Sequence, residues 1–122
     1  MDEDRVLIIM TSGINTPRRC ATPFFFASLA VAMDLEVDMF FTIDGTSLLK
    51  KGVAETVYPK EGGAPVSDFL NDAIESGVTF YCCTASLELN DMTPDDLIDG
   101  VELVGGATMW ELAEDASKIL SF

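Results

Sequence analysis

Two adjacent cysteines end an apolar segment that is typical of a buried strand. The segment Val78–Tyr81 is rich in β-branched and aromatic residues, and Cys82 and Cys83 follow it directly. In a parallel α/β sheet, reactive groups and ligands collect beyond the carboxyl ends of the strands. Successive side chains of a strand point to opposite faces, so only one of the two thiols can face that crevice. We predict that it is Cys83, because Cys83 lies nearer to the strand end; Cys82 is the alternative.

The reactivity of such a thiol depends on its ionisation, because the thiolate is the nucleophile. Thr84-Ala85-Ser86 can begin a helix immediately after the strand, and the N–H groups of a helix start favour a thiolate, so Thr84 and Ser86 are candidate supporting residues. A helix start lowers the pKa of a thiol by only about 0.2–1.5 units, and the nearby Glu88 and Asp91 act in the opposite direction. These residues favour a sulfur-carrying thiol over a strongly activated one.

Further candidates lie at the ends of other predicted strands. Ser12-Gly13 follows the first strand and Asp44-Gly45 follows the second, so both pairs should lie at the same edge of the sheet. Cys20 is a weaker candidate that a helix facing the crevice could bring near Cys83. The structural alternative for all three cysteines is that they are small buried hydrophobic residues, which is the commonest role of a free cysteine.

Composition excludes several classes of function. The chain has 122 residues, of which 48% are hydrophobic, and this predicts one domain spanning residues 1–122 with a substantial core. Its 7 basic and 21 acidic residues give a net charge of -14, so we expect no nucleic acid and no anionic membrane surface as a partner. Without histidine, histidine acid–base catalysis is excluded; without Cys-x-x-Cys spacing, we predict no metal site, and we predict no cofactor.

The N-terminal segment and the apolar runs predict a cytoplasmic location. Met1–Arg5 is acidic, and the apolar run after it is too short for a secretory signal. Phe24–Met33 is well below the roughly 20 residues that span a bilayer, so we expect a buried helix there and no membrane span.

Strand and helix signals alternate along the chain. The predicted strands are Val6–Met10, Glu36–Thr42, the segment ending at the cysteine pair, Val101–Val104, and Lys118–Phe122 as an edge strand. The predicted helices are Thr16–Met33, with a kink near Cys20 caused by Pro23 unless the helix begins at Thr22, then Thr46–Lys51, Ser67–Ser76, a short helix from Thr93, and Thr108–Ser117. This order predicts right-handed βαβ units in a three-layer α/β/α sandwich with a mainly parallel, flavodoxin-like sheet of about five strands.

The first long helix carries apolar residues on all sides. Phe24, Phe25 and Phe26 point in three directions about 100° apart, so one core cannot bury them all. We therefore predict a homo-oligomer with this helix in or beside the interface; the alternative is that long loops cover the helix.

Several motifs, in order along nearly the whole chain, resemble those of the DsrE/DsrF-like family. They are Thr11-Ser12-Gly13, Thr22-Pro23-Phe24, Phe40–Gly45 with Leu48–Ala54, Tyr81–Leu87, and Leu97–Val101 with the Gly105-Gly106-Ala107 turn. The resemblance implies a five-stranded α/β/α fold, trimeric or hexameric assembly, and sulfur trafficking through a cysteine persulfide. It places that cysteine at Cys83, which directly precedes the hydroxyl-Ala-Ser-Leu run; the family often has an aliphatic residue in place of Cys82.

Two functional hypotheses follow. In the first, the protein is an intracellular sulfur carrier, or sulfurtransferase-like protein, that exchanges persulfide sulfur with donor and acceptor proteins. In the second, it is a non-catalytic oligomeric module whose crevice binds a small ligand.

Overall fold

A computed structural model describes residues 2–122, which form a five-stranded parallel sheet with helices on both faces. The sheet order is β4-β3-β2-β1-β5, and the strands are β1 Asp2–Met10, β2 Glu36–Phe41, β3 Thr79–Cys83, β4 Val101–Val104 and β5 Ala116–Ser121. The α-helices are α1 Thr22–Ala32, α2 Val66–Ser76, α3 Thr84–Leu89 and α4 Gly106–Asp115. The predicted three-layer α/β fold is confirmed.

The strand order explains why the two faces of the sheet are covered unequally. From β1 to β4 the chain always steps in the same direction across the sheet, and crossovers of one hand then all lie on one face. The step from β4 to β5 runs the opposite way, so its helix lies on the other face. Helices α1, α2 and α3 accordingly pack on what we call the first face, and α4 alone packs on the second face.

The core of the first face is built around Phe24 of α1. Its ring centroid lies 5.9 Å from that of Phe41 on β2 and 5.9 Å from that of Phe80 on β3, and all three side chains are buried. The neighbouring residues Phe25 and Phe26 are 51% and 42% exposed. Only one of the three consecutive phenylalanines is therefore part of the core, as their helical spacing requires.

The prediction of a long, kinked helix from Thr16 is wrong. The alternative start of the helix, at Thr22, is observed. Pro17–Arg19 forms a separate 3₁₀ turn, and α1 begins at Thr22 with Pro23 in its first turn. A proline in the helix interior lacks a hydrogen-bond donor and clashes with the preceding turn, whereas the first turn needs no such donor. The Thr16 hydroxyl, predicted as the cap, donates to the Gly13 carbonyl at 3.4 Å instead.

The carboxyl-terminal elements differ from prediction by a few residues. Helix α4 spans Gly106–Asp115 with Gly105 as its N-cap, so the predicted bounds Thr108–Ser117 are wrong at both ends. The fifth strand is confirmed, but it starts at Ala116 because Ala116 pairs with Asp2 of a β1 strand that is longer than predicted. Such pairing is a long-range contact that local patterns do not show.

The loops between the strands contain more structure than their composition indicates. The segment after β2 is a 3₁₀ helix at Ile43–Leu49 rather than a turn followed by a helix from Thr46. Helix α2 ends at Gly77 as predicted, where φ is +99°, a left-handed conformation that favours glycine. Ile74, near the end of α2, is 42% exposed.

The amino-terminal end of the second face is polar. Asp38 on β2 is 2% exposed, and the Nε of Arg5 on β1 donates to it at 2.9 Å. Arg5 also pairs with Glu36, and the hydrogen bond to Asp38 raises the pKa of the guanidinium. This ion pair lies at the opposite end of the strands from the cysteines. In the described part of the chain, residues 2–122, no helix combines the length and apolarity needed to cross a bilayer.

We predict that Phe24→Ala lowers the free energy of unfolding by about 3–5 kcal/mol, because it leaves a cavity among buried rings. Tyr58→Ala is the control and should cost much less, since that aromatic side chain is 48% exposed and lies outside both α1 and β5. Urea unfolding followed by circular dichroism measures both. Equal losses for the two variants would contradict the assignment of Phe24 to the core.

Candidate functional site

Cys83 ends β3 and lies half-buried on the second face of the sheet. Its side chain lines a cleft of about 420 Å³ between the strand ends and the first turns of α4. The other lining residues are Ile9, Phe40, Thr42, Gly106, Ala107, Met109 and Trp110. None of these lining residues is charged, and most are apolar. The cleft thus offers one nucleophilic atom, the Cys83 sulfur, in largely apolar surroundings.

Cys82 lies on the opposite face of the same strand. It is fully buried in the core beneath the helices of the first face, and this burial raises the pKa of its thiol. A buried thiol with a raised pKa is neutral at physiological pH and is inert as a nucleophile. Strand alternation therefore separates a thiol in a cleft from a thiol in the core.

Cys20 belongs to the core of the first face as well, and the structure does not bring it to the Cys83 cleft. Burial raises its pKa to about 11. Its thiol contacts the carbonyl oxygens of Gly13 and Thr16, each at 3.3 Å. These contacts are those of a small buried side chain.

The two hydroxyls that follow Cys83 have different surroundings. The Thr84 hydroxyl is exposed and donates to the Val104 carbonyl at 2.8 Å, which ties the start of α3 to β4. Ser86 is buried; its Oγ accepts a hydrogen bond from the Ile43 N–H at 2.9 Å and lies 3.0 Å from Oγ1 of Thr42. Ser86 therefore does not line the cleft, but its hydroxyl contacts Thr42, which does.

The predicted site residues Ser12, Gly13, Asp44 and Gly45 join the ends of β1 and β2 and do not line the cleft. A Cβ on Gly13 would overlap the Asp44 carbonyl, and a Cβ on Gly45 would overlap the Met10 carbonyl. Glycine is required at both positions because two backbone segments touch there. Ser12 is buried and accepts a long hydrogen bond, 3.4 Å, from Nε of Arg19.

Two polar or aromatic residues that line the cleft, Thr42 and Trp110, are not among the predicted site residues. Thr42 directly follows β2, and alignment of the two strand ends could have found it, since Phe41 pairs with Cys82 and the next residues are Thr42 and Cys83. Trp110 lies on α4 and is 70% exposed. No local pattern links this tryptophan to a cysteine on β3, because the contact depends on the path of α4 across the sheet.

The fold and the cleft define a small parallel α/β protein with a strand-end thiol. The chain belongs to the DsrE/DsrF-like family, whose family model matches residues 4–122. Among residues 2–122, no group of three cysteine, aspartate or glutamate side chains is arranged to hold a metal ion.

Two relatives illustrate the range of the family. An uncharacterized protein of Methanocaldococcus jannaschii is 31% identical over 109 residues, which cover 86% of this chain but only 38% of that relative. The sulfur carrier protein DsrE2 of Allochromatium vinosum is 26% identical over an alignment that covers 98% of this chain and 99% of that protein.

Solved structures share the fold at low sequence identity. The ychN protein of E. coli superposes with a TM-score of 0.72 at 21% identity over the full length of both chains. A conserved protein of unknown function from Bacteroides thetaiotaomicron gives a TM-score of 0.72 at 15% identity, covering 98% of this chain and 95% of the other. At these identities the likeness concerns the fold alone.

We predict that a thiol-alkylating reagent modifies Cys83 before the other two cysteines. Cys20 and Cys82 are fully buried and their raised pKa values keep them neutral near pH 7, so both should react at least about tenfold more slowly. Peptide mass spectrometry after timed iodoacetamide treatment of the native protein measures the order. Faster modification of Cys82 would show that the opposite face of β3 is the accessible one.

Proposed function

We propose that this protein carries sulfur as a persulfide on Cys83. The observation that carries the proposal is the position of Cys83: it is the one cysteine of residues 2–122 that lines a cleft, while the other two lie in the core. Membership of the DsrE/DsrF-like family supports this function, and so does similarity to a relative named as a sulfur carrier protein.

The transfer requires no cofactor and no external oxidant. The Cys83 thiolate attacks the terminal sulfur of a donor persulfide, R–S–SH, so that a new S–S bond forms on Cys83 and the donor S–S bond breaks. The electron pair of the broken bond leaves with the donor as R–S⁻, which takes up a proton. Attack by an acceptor thiolate on the terminal sulfur then returns Cys83 to its thiolate. A donor and an acceptor protein are thus the partners of this proposal.

The uncharged lining of the cleft suits this role. No lining residue offers a cation for a strongly charged oxyanion, and the whole chain carries a net charge of -14. A persulfide held on another protein carries no oxyanion group. Helix α3, which follows Cys83, has only six residues, so its dipole contributes little activation.

We predict that incubation with a polysulfide adds the mass of one sulfur atom to the protein, and that Cys83→Ser abolishes the addition. Cys82→Ser and Cys20→Ser are the matched controls and should retain it, because those thiols lie in the core. Intact-protein and peptide mass spectrometry locate the added sulfur. Loss of the adduct in Cys82→Ser but not in Cys83→Ser would reverse the assignment, and no adduct on any cysteine would favour the ligand-binding module.

We further propose that subunits associate through the exposed apolar surface formed by α1 and β5. This surface, which we call the α1–β5 patch, consists of Phe25, Phe26, Leu29, Met33 and Leu120. The Phe26 ring lies 6.2 Å from that of Phe25 and 6.0 Å from that of Phe122, which follows β5, so the aromatic part of this surface is continuous. Exposed apolar side chains grouped in this way mark interaction surfaces. A closed trimer would cover one such patch on each subunit.

We predict that Phe26→Glu dissociates the assembly while the fold survives, because a carboxylate placed in a dehydrated interface has no partner. The matched control is Ile74→Glu on α2, since Ile74 and Phe26 are both 42% exposed and Ile74 lies outside the patch. Analytical ultracentrifugation at micromolar concentration should give a species of three times the 13.2 kDa chain mass for the parent and the control. A parent protein that sediments as a monomer would refute the proposed assembly.

A further inference from the structure

Thr42 is the side-by-side neighbour of Cys83 on the second face. Phe40 pairs with Tyr81 and Phe41 with Cys82, so the same parallel register places Thr42 next to Cys83. The Thr42 N–H bonds to the Met10 carbonyl of β1 at 3.1 Å, so the pairing of β2 with β1 extends to this residue and keeps its backbone extended. Adjacent strands lie about 4.8 Å apart, a distance at which neighbouring side chains interact. Thr42 carries the only hydroxyl among the residues that line the cleft.

The backbone around Thr42 is held firmly by α3. Ser86 of α3 accepts a hydrogen bond from the Ile43 N–H at 2.9 Å. The side-chain amide of Asn90, one turn further along, donates to the Ile43 carbonyl at 2.8 Å and to the Ser86 carbonyl at 2.7 Å. The first two of these hydrogen bonds join the segment after β2 to α3 at the strand ends, and the third holds the Asn90 side chain against α3.

The Ser86 and Thr42 hydroxyls form a pair whose protons can be arranged in two ways. Their oxygens are 3.0 Å apart, so either hydroxyl can donate to the other. The Ser86 oxygen already accepts the Ile43 N–H, which favours use of its own proton toward Thr42. The Thr42 proton is then available to the cleft. Negative charge on a neighbouring acceptor favours the same arrangement, because hydrogen bonds to ionised acceptors are roughly twice as strong as neutral ones.

We propose that the Thr42 hydroxyl, oriented by Ser86, donates a hydrogen bond to the anionic sulfur on Cys83. The acceptor is the thiolate before sulfur loading and the persulfide anion afterwards; only the second part rests on the proposed function. Thr42 is thus the group that stabilises negative charge in a cleft whose other side chains are mostly apolar. Ser86 is a positioning residue, since its hydroxyl acts through Thr42.

The test is the pH profile of Cys83 alkylation by iodoacetamide, measured by peptide mass spectrometry on the full-length protein. Thr42→Val keeps the branched shape and removes the donor. We expect the midpoint of the profile to move up by about one pH unit, the effect of one hydrogen bond to a charged group, and the rate at neutral pH to fall about tenfold. Thr42→Ser restores the hydroxyl and should restore the parent profile. Ser86→Ala should shift the midpoint in the same direction by a smaller amount.

Thr11→Val is the control for removing a strand-end hydroxyl of the same type. Thr11 follows the adjacent strand β1, and its hydroxyl donates to the Phe122 carbonyl at 2.7 Å rather than facing the cleft. This variant should leave the midpoint for Cys83 unchanged. Circular dichroism and thermal melts of every variant separate a change in ionisation from a loss of fold.

The inference is overturned if folded Thr42→Val has the parent midpoint, or if Thr42→Ser behaves like Thr42→Val. Alkylation involves no sulfur transfer, so its outcome is independent of the proposed function. A shifted midpoint together with no persulfide on the parent protein would support the Thr42 hydrogen bond and refute the carrier role. An unshifted midpoint together with efficient sulfur loading of Cys83 would refute the Thr42 hydrogen bond and support the carrier role.

Discussion

Parallel strands can be joined only by crossovers that pass over a face of the sheet, and those crossovers have one hand. In this protein the chain takes three steps in one direction and then a single step back to the far side of β1. The first face therefore receives three helical connections, and the second face receives only α4. One helix cannot cover a face of five strands, so the carboxyl end of β3 opens into a cleft there. The unequal layers are the reason why the thiol at this strand end lies in a cleft rather than beneath a layer of helices.

Successive side chains of a strand point to opposite faces of the sheet, so the two adjacent cysteines have different environments. Cys82 faces the thick helical layer and is enclosed by apolar side chains, where burial raises the pKa of its thiol. Cys83 faces the thin layer and keeps access to solvent. A register shift of one residue would exchange these environments. The parallel pairing of Phe41 with Cys82 and of Cys82 with Leu103 holds the register on both sides of β3.

The strand ends are held together by close backbone packing and by side-chain hydrogen bonds from α3. Gly13 and Gly45 let the loops after β1 and β2 touch backbone atoms that any side chain would displace. Ser86 and Asn90 then fasten α3 onto the loop after β2. Because the cleft lining has no cation, hydrogen bonds are the available means of stabilising a negatively charged sulfur.

Local patterns in the sequence were sufficient to predict the fold class, the five strands, and the residue that ends the cysteine strand. Those features depend on local signals: β4 was predicted with its observed bounds, and the glycine at position 77 ends α2 as expected. Local signals failed where a distant contact decides the outcome. Pairing of Ala116 with Asp2 ended α4 early, and the candidate residues at the ends of β1 and β2 proved to be sites of close backbone packing. Thr42 and Trp110 entered the cleft only through strand register and the path of α4, because side chains far apart in sequence become neighbours only when the sheet order is set.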